Sequence, residues 1–172
     1  MNDTFLPGNG FDTYEEQDRV LMGLSGSVRS GVAVRILQQQ GFAVAAAVVR
    51  LADTPEEHAA AEAAKALAKK LDVECLALNA EALAGQDVEA ARFAALLTAA
   101  DKLGIQYVAS GHYARMETDT QGVSHLFPPE SGAPDESSRL AALSPEVLAR
   151  LILPLGDFAP EDVEDMAEDF KL

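Results

Sequence analysis

Hydrophobic positions along the chain fall into a repeating pattern. Val20-Leu21-Met22-Gly23-Leu24 is a short apolar run closed by Ser25-Gly26-Ser27, after which Val32, Ala33, Ile36 and Leu37 recur at helical spacing up to Gly41. This predicts a strand, a tight turn and a helix. Residues 42–51 form a nearly all-apolar second strand. A helix then opens at Asp53 or Thr54, with Pro55 in its first turn, and runs through Ala60, Ala64, Leu67 and Leu71. Residues 73–78 predict a third strand. Phe93, Leu96, Leu97, Ala100 and Leu103 mark another helical stripe ended by Gly104, and residues 105–109 a fourth strand.

Continuous apolar strands alternating with amphipathic helices imply a parallel sheet covered on both faces, because right-handed crossovers place helices on each side. The expected fold class is α/β, a doubly wound, Rossmann-like parallel sheet of about five strands. Residues 117–138 are rich in Gly, Pro, Ser and Asp and read as an excursion, with 123–127 a candidate short edge strand. Ser144 and Pro145 open a further helix with Leu148, Leu151 and Ile152 on one face. From Asp157 onward seven acids stand against one lysine, the pattern of an ordinary solubilising end. Residues 1–18, with five acids and no apolar period, read as an acidic N-terminal extension, leaving 19–172 as one domain.

Charge narrows the function classes. Twenty-eight carboxylates against 13 Lys plus Arg, in 172 residues, give a net charge of −15, which repels nucleic-acid backbones. Autonomous RNA or DNA binding by this chain is therefore not expected. No apolar run approaches the roughly 18 residues of a membrane span, so no membrane association is expected. A single cysteine, Cys75, excludes an intrachain disulfide and reads as a small buried hydrophobe inside the third strand. His58 and His125 have no partner at metal-ligand spacing, so no metal site is expected. The N-terminus lacks a signal-peptide pattern, which makes a cytoplasmic location the expectation. Alanine-rich helix faces at 59–68 and 90–100 suggest a homodimer, or failing that another protein partner.

The candidate chemistry sits at the first strand-to-helix turn. In an open parallel sheet such a turn offers free backbone N–H groups and the positive end of a helix dipole to an anion. Residues 25–30 occupy that place without matching either G-x-G-x-x-G or G-x-x-x-x-G-K-[ST]. On spacing alone, a phosphate turn and a generic small-residue turn both fit.

The segment Val20 to Ser30 resembles the S-G-G-x-D-S pyrophosphate loop of the N-type ATP pyrophosphatases. Gly111-His-Tyr-Ala-Arg115 resembles the G-H-Y-A-R segment of one branch, the tRNA-specific 2-thiouridylase family. Asp135 to Leu140 and Leu153-Pro-Leu-Gly156 are similar, in the same order, to that family's K-D-Q-S-Y-F-L and F-P-L-G segments. The resemblance implies an adenine nucleotide alpha hydrolase-like fold. It also implies an ATP or AMP site at Gly23, Leu24, Ser25, Gly26, Ser27, Val28, Arg29, Ser30, Val49, Gly111 and His112. Members of the family adenylate a wobble uridine with ATP, and a cysteine persulfide then delivers sulfur.

Several positions depart from that pattern. Ser27 stands at the loop's second glycine, and Arg29 at its aspartate, so Mg is not expected beside the nucleotide. No cysteine lies between Asn79 and Phe93, where the family has its catalytic thiol, and Pro134-Asp135-Glu136 replaces the tRNA-contacting K-D-Q. The family's RNA-binding domains have no counterpart in these residues. The expectation is thus a noncatalytic relative, with no catalytic residue, that binds an adenine nucleotide or other anion at the altered loop. The alternatives are an interaction module with a self-filled pocket, in which Arg29 is salt-bridged inward, and residual pyrophosphatase or adenylating activity on another substrate.

Overall fold

The computed structural model describes residues 18–130 and 132–172. The acidic extension expected at 1–18 lies outside them except for Asp18, whose carbonyl accepts from the Ala43 N–H at 2.9 Å.

Five parallel strands form the main sheet: β1 (Arg19–Gly23), β2 (Ala43–Arg50), β3 (Cys75–Asn79), β4 (Tyr107–Ala109) and β7 (Leu151–Ile152), in the order β3-β2-β1-β4-β7. Helices α1 (Val28–Gln39), α2 (Pro55–Leu71), α3 (Val88–Leu103), α4 (Pro145–Arg150) and α5 (Pro160–Asp169) cover it. The doubly wound α/β expectation holds. Central β1 is buried on both faces: Val20 and Met22 join the core beneath α1, α2 and α5, while Leu21 joins the core beneath α3 and α4. Each of these three side chains is fully buried, which at about 25 cal/mol per Å² makes the strand a principal source of stability.

Local chemistry sets the helix ends. Thr54, Asp87 and Ser144 accept from backbone N–H groups of the first turns of α2, α3 and α4. Asp72 and Gly104 close α2 and α3 in the left-handed conformation. Along α2, Glu56 and Glu57 lie at the N-terminus and Lys69 and Lys70 at the C-terminus, as the helix dipole favours.

Three expectations need correction, while the short edge strand expected at 123–127 is present as β6 (Ser124–Phe127), which pairs antiparallel with β5 (Arg115–Thr118) in a separate two-stranded sheet. Its tight turn is built on Asp119, whose carboxylate accepts from the Gln121 and Val123 N–H groups. The outer edge of β4 belongs instead to Leu151 and Ile152, read above as helical. Helix α4 stops at Arg150, whose guanidinium donates to the Ile105 and Gln106 carbonyls and to Asp101, drawing the following residues alongside β4.

The acidic end is not merely solubilising. Val163 and Ala167 of α5 are buried, and Met166, Phe170 and Leu172 pack with them in the core that also contains α1. Cys75 opens β3 at the sheet edge and is only half-buried, because Asp72 closes α2 and the Val73 N–H still bonds back to Ala68. Burial nevertheless pushes its thiol pKa up, which favours the protonated form.

Candidate functional site

The chain runs β1, β2, β3 outward and then returns to β4 on the other side of β1, so the strand order reverses between β1 and β4. Ligands of open α/β sheets bind outside the carboxyl ends of the strands at such a point. A cleft of about 260 Å³ lies there.

One wall is the turn after β1. Ser27 caps α1, and its hydroxyl accepts from the Ser30 N–H at 3.3 Å. The hydroxyls of Ser25 and Ser27 lie 2.7 Å apart, and Ser30 Oγ donates to the turn's own carbonyls. The φ of Ser27 is −78°, ordinary extended backbone, so replacing the resembled glycine introduces no positive-φ strain here. At Gly26, by contrast, an added Cβ would come within 2.5 Å of the Ala63 Cβ on α2. That close approach requires glycine.

The expected residues Gly23, Leu24, Ser25, Gly26, Ser27, Arg29, Ser30, Val49, Gly111 and His112 all line this cleft. Val28 does not, and its side chain is exposed. Gly111 abuts the turn: a Cβ there would lie 3.5 Å from Ser30 Cα.

The opposite wall was not singled out from the sequence. It includes Glu89, Arg92 and Phe93 of α3, Ser110 at the end of β4, and Arg139. Here His112 Nδ1 lies 2.7 Å from Ser110 Oγ, and His112 Nε2 lies 3.2 Å from Glu89 Oε2. The hydrogen bond with His112 holds the Glu89 carboxyl below its ordinary pKa, against the opposing effect of burial. The sequence carried a weak signal for this chain, a lone His two residues after a strand-end Ser, but its partner is 23 positions away.

Arg29 does not project alone into the cleft. Its guanidinium sits 4.6 Å over the Tyr113 ring and pairs with Glu136 at 3.3 Å. Glu136 is buried; it also accepts from the Tyr113 N–H at 2.8 Å and from Arg139 at 3.0 Å. Burial raises the Tyr113 phenol pKa, with Arg29 opposing.

These residues suit an anion better than a divalent cation. The turn supplies hydroxyls, backbone N–H groups and a guanidinium, while the lining carboxylates Glu57 and Glu89 already accept from the Leu51 N–H and pair with His112. Among the described residues no group of three or more His, Cys, Asp or Glu side chains is placed to hold a metal.

The tRNA methyl transferase HUP domain family matches residues 18–89 and 88–172. The chain belongs to this family. Curated relatives include the tRNA-specific 2-thiouridylase MnmA of Lactococcus lactis, 30% identical over 88% of this chain and 48% of the relative. The same enzyme of Yersinia pestis is 33% identical over 91% and 49%. The chain thus spans about half the length of the curated relatives it matches.

Among solved structures, the U34-tRNA thiolase NcsA of Methanococcus maripaludis with its [4Fe-4S] cluster superposes with a TM-score of 0.61. It shares 16% identity, over 90% of this chain and 57% of that one. A Pyrococcus horikoshii protein gives 0.51 at 14% identity, over 90% and 42%. These likenesses speak to the fold. The HUP domain of this chain contains no helix, among its described residues, long and apolar enough to cross a membrane.

Proposed function

We propose that this domain binds an adenine nucleotide, or the pyrophosphate portion of one, in the cleft at the carboxyl ends of β1 and β4, and does not itself transfer sulfur. The observation that carries this reading is the convergence of the serine turn, the α1 N-terminus, Val49 and Gly111 on one open cleft at the strand-order reversal. Arg29 supplies the countercharge to phosphate that a metal ion would otherwise provide. Cys75, the chain's single cysteine, is not among the residues that line the cleft, and burial raises its thiol pKa, so this reading gives no thiol of this chain a part in carrying a persulfide. The domain acts as a homodimer in this reading. The test is calorimetry with ATP, AMP and pyrophosphate, each with and without Mg. Binding that does not depend on Mg is expected; no heat for any ligand at millimolar concentration removes the reading.

The Arg29–Glu136 pair favours a second reading, an interaction module whose loop cation is satisfied internally. Failure of all three ligands, together with a protein bound stoichiometrically over the cleft mouth, would select it.

A further inference from the structure

Ser110, His112 and Glu89 form a continuous hydrogen-bonded chain on the cleft wall, and nucleotide binding as described makes no use of it. The hydroxyl is 2.7 Å from His112 Nδ1, and the far side of the ring is 3.2 Å from Glu89. His112 and Glu89 have side-chain exposures of only 14% and 16%, and Ser110 is buried except where it lines the cleft. A carboxylate at Nε2 favours the tautomer with its proton there, which leaves Nδ1 free to accept from the Ser110 hydroxyl. A nucleophile within hydrogen-bond reach of a base, and a base oriented by a third group, constitute the geometry of an activated hydroxyl.

Position makes the arrangement specific. Ser110 follows the last residue of β4, and the serine turn follows β1, so the two flank the strand-order reversal from opposite sides. Gly111, between Ser110 and His112 in the chain, lies against the serine turn: a Cβ placed on it would be in ordinary van der Waals contact with Ser30 Cα, at 3.5 Å. Phosphate held by the turn would therefore lie beside the one cleft hydroxyl that is hydrogen-bonded to an imidazole.

We propose that Ser110 is a nucleophile that accepts the adenylyl group of ATP bound at the serine turn. Ser110 Oγ forms a bond to the α-phosphorus while the bond from that phosphorus to the bridging oxygen breaks. Pyrophosphate leaves with the electron pair, and the hydroxyl proton passes to His112 Nδ1. Glu89 offsets the charge of the resulting imidazolium; it is a positioning residue. The inference rests on the nucleotide reading for its donor, whereas activation of the hydroxyl does not.

The experiment incubates the full chain with ATP, follows intact mass and released pyrophosphate, and maps the modified peptide. One adenylyl group per chain on Ser110 is expected, absent in Ser110→Ala and reduced about hundredfold in His112→Asn, the scale of general-base assistance. Glu89→Gln should slow the reaction and shift its pH profile, with Glu89→Asp restoring much of both. A second arm uses diisopropyl fluorophosphate without nucleotide, which should label Ser110 in a His112-dependent manner.

ATP that binds by calorimetry yet leaves no adduct overturns the adenylyl transfer and leaves the nucleotide reading standing. Fluorophosphate labelling of Ser110 without ATP binding overturns that reading, and with it the donor. An adduct on another residue, or labelling that persists in His112→Asn, overturns the role given to Ser110.

Discussion

The guanidinium of Arg29, on the first turn of α1, and the carboxylate of Glu136, just before the 3-10 helix at Ser137–Leu140, form an ion pair at 3.3 Å across 107 positions of sequence. Arg139 and the Tyr113 N–H hold the same carboxylate, so Arg29 can leave it without stranding a buried charge. Glu136→Gln should therefore free Arg29 for phosphate and tighten Mg-free pyrophosphate binding, by about tenfold for 1.4 kcal/mol of lost competition. Calorimetry on the variant checks this. Affinity unchanged from the parent would show that the pair does not compete with ligand.

The same pair bears on restoring a metal-dependent loop. Ser27→Gly with Arg29→Asp recreates the resembled motif but sets a second carboxylate against Glu136. The double variant should lose thermal stability and gain little Mg-ATP affinity, whereas adding Glu136→Gln should recover both. A double variant as stable as the parent would contradict the geometry.

Gly26→Ala should destabilise the fold by about 1–3 kcal/mol, the usual cost of overpacking, because its methyl would strike Ala63. Ala63→Gly in the same chain should recover part of the loss in a denaturant titration. A neutral single variant would mean the turn stands further from α2.

Glu89 predicts an acid-side dependence. Its pKa is lowered in the folded protein, so it binds fewer protons there than in the unfolded chain at mildly acidic pH. The stability it contributes is present above its ordinary value of 4.5 and is lost as pH falls below that value through the folded one. Melting temperature against pH should show a shallower acid limb in Glu89→Gln than in the parent. Identical limbs would remove the His112 hydrogen bond as the cause.

Much of this architecture was legible in the sequence because it depends on local periodicity. The runs at β1 and β2, and the caps Thr54 and Ser144, announce themselves within a few residues. The fifth strand did not: Leu151 and Ile152 continue the apolar spacing of α4, and only the non-local grip of Arg150 on the residues before β4 extends them. Helix α5 was hidden by its charge, although Val163, Met166, Ala167 and Phe170 keep helical spacing. At the cleft, the turn was visible as a motif. Its facing wall was not, since Glu89, Ser110 and Arg139 converge only once the crossover connections are folded.

The importance of α5 can be measured directly. Val163→Asp places a charge where the side chain is 5% exposed and should cost about 3 kcal/mol or more. A denaturation midpoint close to that of the parent would return the segment to a loosely attached tail.

Three of the chain's 13 cationic side chains, Arg29, Arg92 and Arg139, line one cleft of a protein carrying −15 overall. Each of the three is paired with a carboxylate, Arg29 and Arg139 with Glu136 and Arg92 with Glu57. On the proposed reading a polyphosphate would meet repulsion from the acidic surface at a distance and would have to displace carboxylates from guanidinia on arrival, and added salt would screen the long-range part first.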